Sequence, residues 1–272
     1  MAIKNNPIGV FDSGLGGLSV LSELLRELPH ESFIYFSDSA NCPYGPKSPK
    51  KVIELTDRIT RFLVEKGCKI IVVACNTATA AAIDYLRETF AVPFVGMEPA
   101  IKPASLNSKT KSIGVLATAG TFKGRLYIET SKKYASDVNV CYQVGEGLVE
   151  LVESGALQSK KAEILLRKYV EPMLDCNIDH LVLGCTHYPF LIPILKKILP
   201  AGVTIIDPAP AVARQTRNIL TEQGLLCDKQ TPPTLSVHSS GSTDILKKLM
   251  AHSDTISNYP YSITFNNHFA AK

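Results

Sequence analysis

Apolar residues along this chain fall into two kinds of pattern. Short runs rich in Val, Ile and Phe read as strands: PIGVF (7–11), SFIYF (32–36), KIIVVA (69–74), SIGVLA (112–117), HLVLG (180–184), VTIID (203–207) and TLSVHS (234–239). Between them lie longer stretches with helical spacing, notably 48–67 and 159–176. In the second of these, Ile164, Leu165, Lys168 and Tyr169 share a face, with Met173 beyond. A further helix follows DPAP (207–210) and stops at Gly224. Strands that alternate with helices predict an α/β fold of mainly parallel sheets covered on both faces.

The pattern also repeats. IGVFDSGLGG begins at Ile8 and IGVLATAGTF at Ile113, 105 residues later; the run ending in Cys75 is matched by one ending in Cys185, 110 residues later. Matched offsets of this size predict two similar α/β halves, not a solenoid of short repeats. The expected division is a first domain of 1–97 completed by 208–272, and a second of 98–207. If the halves are related by a pseudo-twofold axis, a site lies in the cleft between them.

Composition narrows the function classes. The 272 residues are enough for two modest domains, and the net charge of +4 is spread without a basic block. A nucleic-acid groove and a polybasic membrane patch are poorly supported. No run reaches the roughly 18 apolar residues of a membrane span, and the start of the chain does not read as a signal peptide. The seven cysteines are scattered, with neither a CxxC pair nor zinc-ligand spacing. They are expected to be reduced thiols in a cytoplasmic protein, and Cys42, Cys68, Cys141, Cys176 and Cys227 to be small core or surface residues.

Candidate chemistry sits at the strand ends. FDSGLGGLSV (11–20) ends a strand and opens a helix, so its backbone N–H groups can face an anion. It is no dinucleotide fingerprint, because Ser19 stands where the last glycine is needed, and it lacks the Gly-Lys-Ser/Thr of a phosphate-binding loop. An aspartyl-phosphate site with Asp12 as nucleophile fails too, since Gly14 replaces the second acid. Either it is a plain turn capped by Ser13, or a small-anion site to which Asp12 adds a polar group.

Cys75 and Cys185 each end a strand where a helix is expected to start. Ligands bind at the carboxyl ends of strands in open α/β sheets, and a helix N-terminus lowers a thiol pKa toward neutrality. Two such thiols in matched places would meet across one cleft. A redox pair usually uses CxxC. Cysteine-phosphatase chemistry needs an arginine six residues on, where Ala81 and Leu191 stand. Acid–base work on a carbon remains: one thiolate removes a proton from one face, and a thiol returns one to the other. Asn76, Thr77, Thr186 and Ser13 supply hydrogen bonds nearby, and Asp12 and His187 can tune or move protons. Taken singly, His187 also reads as a solvent-facing residue, Tyr44 and Gly45 as part of an ordinary surface loop, and Glu153 as a solvated carboxylate.

Together GVFDSGLGG, CPYG, ACNTATA and GCTHYP resemble the motifs of the glutamate racemases, within the cofactor-independent amino-acid racemases. The motifs span about 8–190 and match without departure. The resemblance implies interconversion of L- and D-glutamate for bacterial peptidoglycan, hence for cell-wall biogenesis and cell shape, with Cys75 and Cys185 as bases and neither pyridoxal phosphate nor metal. It implies substrate contacts from Asp12, Ser13, Tyr44, Gly45, Asn76, Thr77, Thr186 and His187, and proton-assisting roles for Asp12, Glu153 and His187. Thr118 and Thr121 are further candidate ligands, at the second half's equivalent of the Gly-rich turn. A homodimer is expected, with no nucleic-acid or membrane partner. Aspartate racemase is the alternative within the fold. A two-lobed binder of acidic amino acids and a thiol redox protein are the alternatives outside it.

Overall fold

The computed structural model describes residues 4–98, 100–228 and 232–269. Ten strands are present among them: β1 (Ile8–Asp12), β2 (Phe33–Ser37), β3 (Ile70–Val73), β4 (Phe94–Gly96), β5 (Ser112–Ala117), β6 (Asn139–Val144), β7 (His180–Gly184), β8 (Thr204–Ile206), β9 (Leu235–Ser239) and β10 (Tyr261–Phe265). They form two sheets. The larger has the order β10-β9-β2-β1-β3-β4 and the smaller β6-β5-β7-β8, and every pairing is parallel.

The duplicated sequence is visible in this order. The first four strands run second-first-third-fourth across their sheet, and so do the next four. β1 therefore corresponds to β5, and β3 to β7. Both cysteine turns follow a third strand, next to the strand that carries the Gly-rich turn or its counterpart. The segment after Pro208 adds two strands to the larger sheet, where the sequence shows only one. The outer limits of the expected domain division, 1 and 272, lie outside the described residues.

Why the strands sit where they do follows from burial. β1, β2, β3 and β5 are buried at every position, as unbroken apolar runs must be when helices cover both faces. Apolar residues of β1 and β3 on one face join a core that continues into the second half through Leu116, Leu181 and Leu183. Phe11, Ile71 and Val73, on the other face, pack with Ile59 and Leu63 of the helix Pro49–Glu65. That helix is capped by Ser48, whose side chain accepts from the Lys51 N–H, with proline at its start.

Three strands escaped the sequence pattern. β4 has only three residues, and β6 and β10 are edge strands with no buried residue, β6 half-buried and β10 largely exposed. Edge strands need no continuous apolar run, so their signal is weak. The helix Lys160–Asp175 is present, but its buried stripe is Ala162, Leu166, Tyr169, Val170 and Met173, while Ile164 is 60 % exposed. The expected face is thus rotated, because several apolar residues compete for the core and Ile164 loses.

The thiol expectation is also corrected. Cys141 of β6 and Cys176, at the end of the helix Lys160–Asp175, form a disulfide with Cα atoms 6.7 Å apart. The strand and helix pack side by side, which brings together two residues 35 apart in sequence. The other five cysteines are free.

A buried ion pair ties the ends of the larger half together. Lys69 Nζ donates to Glu31 Oε2 at 2.5 Å and to the carbonyls of Lys4 and Leu225 at 2.5 and 2.9 Å. Glu31 Oε1 accepts from the Cys227 N–H at 2.8 Å. With all three ammonium donors placed, the charge is hydrogen-bonded as well as paired, which burial requires. Among the described residues no helix is long and apolar enough to cross a membrane.

Candidate active site

The carboxyl ends of β1, β3, β5 and β7 converge on one small cavity. Ser13, Pro43, Tyr44, Gly45, Cys75, Asn76, Thr77, Thr118, Val149, Cys185, Thr186 and His187 line it. Its free volume is about 10 Å³, room for roughly one water. Cys75 reaches it from the larger sheet and Cys185 from the smaller. Ten of the sequence-derived residues therefore share one wall set that neither half could build alone.

Cys75 caps the helix Asn76–Thr89: its sulfur accepts from the Ala78 N–H at 3.4 Å and contacts the Ser13 hydroxyl at 3.5 Å. The helix start was expected to lower this thiol's pKa. Burial instead pushes it well up and the charge of Asp12 adds to that, while the bonds from Ser13 and Ala78 offset only part. Ser13 does not cap the first helix, which begins at Leu18 behind Gly17.

Cys185 differs from its counterpart. It is followed by a short 3-10 turn, Tyr188–Leu191, before the helix Ile192–Ile198. Pro189 and Pro193 sit at the starts of these two segments and delay the helix. In place of a long helix N-terminus, Cys185 has His187, whose Nδ1 lies 3.7 Å from its sulfur.

His187 is buried and belongs to a relay, so the solvent-facing reading is excluded. Its Nε2 lies 2.6 Å from Glu153 Oε1, and the same carboxylate oxygen accepts from the Leu15 N–H at 2.6 Å. Burial alone would lower the imidazole pKa. The neighbouring Cys185, Cys42 and Glu153 groups outweigh it and hold the ring well above its usual range. Glu153 is thus no free surface acid, although its side chain keeps 20 % exposure.

Asp12 and Thr121 stand behind the cavity wall. Asp12 is fully buried, accepts from the Gly14 N–H at 2.9 Å and from the Thr186 hydroxyl at 3.2 Å. Burial raises its carboxyl to about 6, with the His187 charge and the Gly14 N–H pulling the other way. Thr121 is two hydrogen bonds from the larger half: Thr77 and Thr118 hydroxyls lie 2.9 Å apart, as do those of Thr118 and Thr121. This chain of hydroxyls joins the two halves across the cavity rim.

Asn76 is the wall's unpaired polar group. It is 4 % exposed, and neither its amide nitrogen nor its oxygen has a hydrogen-bond partner. Such a group calls for a ligand that supplies a donor and an acceptor. Tyr44 is buried, not part of an open surface loop, and its hydroxyl donates to Asp38 Oδ2 at 2.5 Å. Asp38 also accepts from Asn41 at 2.9 Å and from Ser240, beyond β9, at 2.7 Å. The late segment of the chain therefore clamps the loop that walls the cavity.

Sequence reasoning missed Pro43, Val149, Asp38 and Cys42 as neighbours of the site. Cys42 Sγ lies within 4.8 Å of a His187 ring nitrogen, and burial pushes its thiol up to about 12 although His187 pulls the other way. Its place in CPYG, beside Tyr44, was the only available signal.

This fold and site define a two-lobed α/β protein with paired thiols at an interlobe cavity. The family model of Asp/Glu/hydantoin racemases matches residues 8–216. The glutamate racemase of Herpetosiphon aurantiacus is 47 % identical over 239 residues, 88 % of this chain and 94 % of that one. Among solved structures, glutamate racemase isoform RacE1 from Bacillus anthracis superposes with a TM-score of 0.86 at 33 % identity, covering 97 % of this chain and 98 % of that one. The Francisella tularensis glutamate racemase, solved in complex with D-glutamate, gives 0.83 at 30 % identity over 96 % and 98 %. The chain belongs to the Asp/Glu/hydantoin racemase family and is an isomerase.

Proposed function

We propose that this protein interconverts L- and D-glutamate by two-base proton transfer between Cys75 and Cys185, as a source of D-glutamate for peptidoglycan in the cytoplasm. The observation that carries the reading is the placement of these two sulfurs on one cavity from corresponding strand ends of opposite sheets. The name shared by the relatives supports glutamate as the substrate.

The chemistry follows from the walls. One thiolate takes the α-proton of the bound amino acid, and the opposite thiol donates a proton to the other face of the same carbon. The chain thus exchanges one ionised sulfur for the other, and charge and atoms balance. Ser13 and the Ala78 N–H stabilise charge on Cys75; His187, backed by Glu153, stabilises it on Cys185. Backbone N–H groups at the strand ends, with Asn76 and the Thr77–Thr118 hydroxyls, receive the substrate's carboxylates and ammonium. Asp12 holds Thr186 and assists proton movement from behind. The closed, dry site strengthens each of these interactions in a transition state that carries carbanion charge. A cavity of about 10 Å³ does not admit an amino acid, so the lobes 1–97 with 208–272 and 98–207 separate for entry and release. The working unit is proposed to be a homodimer.

The test is incubation with L-glutamate, and separately L-aspartate, in deuterated water without added cofactor. Loss of optical rotation with α-deuterium in the product, for glutamate and not aspartate, is the expected result. Exchange with aspartate alone would move the substrate to that amino acid. Cys75→Ser and Cys185→Ser should each abolish racemisation, and near-normal turnover in either would end the two-base scheme.

A further inference from the structure

Around His187, with Glu153 on the Nε2 side away from Cys185, lies a second donor set. Cys42 Sγ, a Glu153 carboxylate oxygen and a His187 ring nitrogen all lie within 4.8 Å of one another. Three different segments supply them: the loop after β2, the helix Leu148–Glu153 and the turn after β7. A thiol, an imidazole and a carboxylate are the donors that zinc-type ions select, and the thiol disfavours magnesium or calcium. Ligands at ordinary zinc distances sit about 3.4 Å apart around a tetrahedral ion. The Nε2 to Oε1 separation of 2.6 Å must open by less than about 1 Å to reach that spacing.

Two further features favour an ion here. Nδ1 faces Cys185 at 3.7 Å, so the ring can bind a metal at Nε2 while its other N–H stays hydrogen-bonded, as metal-bound histidines do. Cys42 is half-buried and Glu153 partly exposed, so an ion arrives without crossing the substrate cavity. Gly14 leaves the approach open; a Cβ there would stand 2.8 Å from Cys42 Sγ and would collide with Glu153.

We propose that Cys42, Glu153 and His187 form an inhibitory site for a soft divalent cation of the zinc type. The inhibition rests on the reading that His187 and Glu153 serve the Cys185 half of the reaction. On binding, the Cys42 S–H proton and any proton on His187 Nε2 pass to water, and the ion takes the thiolate, the nitrogen lone pair and the carboxylate. No electron moves. The metal neutralises Glu153 and holds the Nε2 position, so Cys185 loses its route for taking up and releasing a proton.

The experiment titrates the intact protein with cobalt(II), read by the thiolate-to-cobalt absorption band, and in parallel with zinc chloride, read by racemisation. Cys42→Ser, Cys42→Ala and Cys75→Ser are compared with the unmodified chain, with circular dichroism to confirm folding; the Cys42 variants are each normalised to their own metal-free rate, and Cys75→Ser, which has no turnover, is read by the cobalt band alone. The expected result is one cobalt per chain, a band lost in both Cys42 variants and kept in Cys75→Ser, and at least a ~10-fold rise in the zinc concentration for half-inhibition in Cys42→Ser. A band that survives in the Cys42 variants, or disappears in Cys75→Ser, overturns the site. Cobalt binding at Cys42 with unchanged turnover overturns its inhibitory role. A chain inactive without metal would instead refute the racemase reading, and the cobalt band would still decide whether the site exists.

Discussion

Glu153→Gln isolates the relay behind Cys185, the proposed second base. The substitution keeps an oxygen to accept the Leu15 N–H at 2.6 Å, but it removes the charge facing His187 Nε2 at 2.6 Å. Hydrogen bonds to charged groups contribute about 1.5–3 kcal/mol and neutral ones about 0.5–1.5, so roughly 1–2 kcal/mol of support for a charged imidazole is lost. If that support is present only in the transition state, kcat/KM falls about 5- to 30-fold. Enantiomers have equal free energy in water, so the fall must be the same from L- and from D-glutamate. What distinguishes the two directions is the primary isotope effect of α-deuterated substrate. In a stepwise transfer it rises in the direction where Cys185 removes the deuteron and shrinks in the other. The assay is circular dichroism at saturating and limiting substrate, with protiated and deuterated enantiomers. A kcat/KM within twofold of the unmodified enzyme would refute the relay. Equal isotope effects in both directions would refute its assignment to Cys185 alone.

Three further substitutions test other parts of the structure. Asp38→Asn weakens the clamp on Tyr44, and at about 1–2 kcal/mol for the lost charged acceptor it should raise KM for glutamate ~5- to 30-fold with a smaller change in kcat; an unchanged KM would show that Tyr44 holds its place without it. Gly14→Ala puts a methyl group against Glu153 and Cys42, so activity should fall at least ~10-fold while the melting temperature moves little, and full activity would mean that the carboxylate moves aside freely. Lys69→Met leaves Glu31 buried without its partner at 2.5 Å, which should cost about 3–5 kcal/mol in urea unfolding; a loss under 1 kcal/mol would show that the pair contributes little net stability.

The parts of this molecule that were legible in sequence are those set by local pattern. Unbroken apolar runs marked β1, β2, β3, β5 and β7 because central parallel strands are buried on both faces. The repeated Ile-Gly-Val and cysteine turns announced the duplication, and the strand order bears it out. What sequence did not show depends on contacts between distant segments. Ser240 reaching Asp38, Glu153 reaching Leu15 and Cys42 meeting His187 each join positions that no local pattern relates. The upward shift of the Cys75 thiol belongs to the same class. Its helix start was visible, but the burial and the Asp12 charge that overrule it come from the assembled fold. Likewise nothing in the spacing of Cys141 and Cys176 announces their bridge.

Duplication gave the two halves matching backbones, yet the two thiols do not have matching surroundings. Cys75 caps a helix of 14 residues and leans on Ser13. Cys185 precedes a 3-10 turn and leans on the His187–Glu153 pair. In a two-base racemase this asymmetry carries no thermodynamic penalty. The equilibrium constant is fixed at one by the substrates, so the ratio of forward to reverse kcat/KM is fixed whatever the bases are. It is the proton inventory that asymmetry decides. Two identical thiols would share one ionised form equally, and either enantiomer would meet the wrong form half the time. Unequal partners bias the resting proton to one side. A base stabilised by neutral donors and a base stabilised by a buried imidazole therefore differ in which enantiomer finds the free enzyme ready. The difference should appear as unequal KM values for L- and D-glutamate, with kcat values unequal in the same ratio.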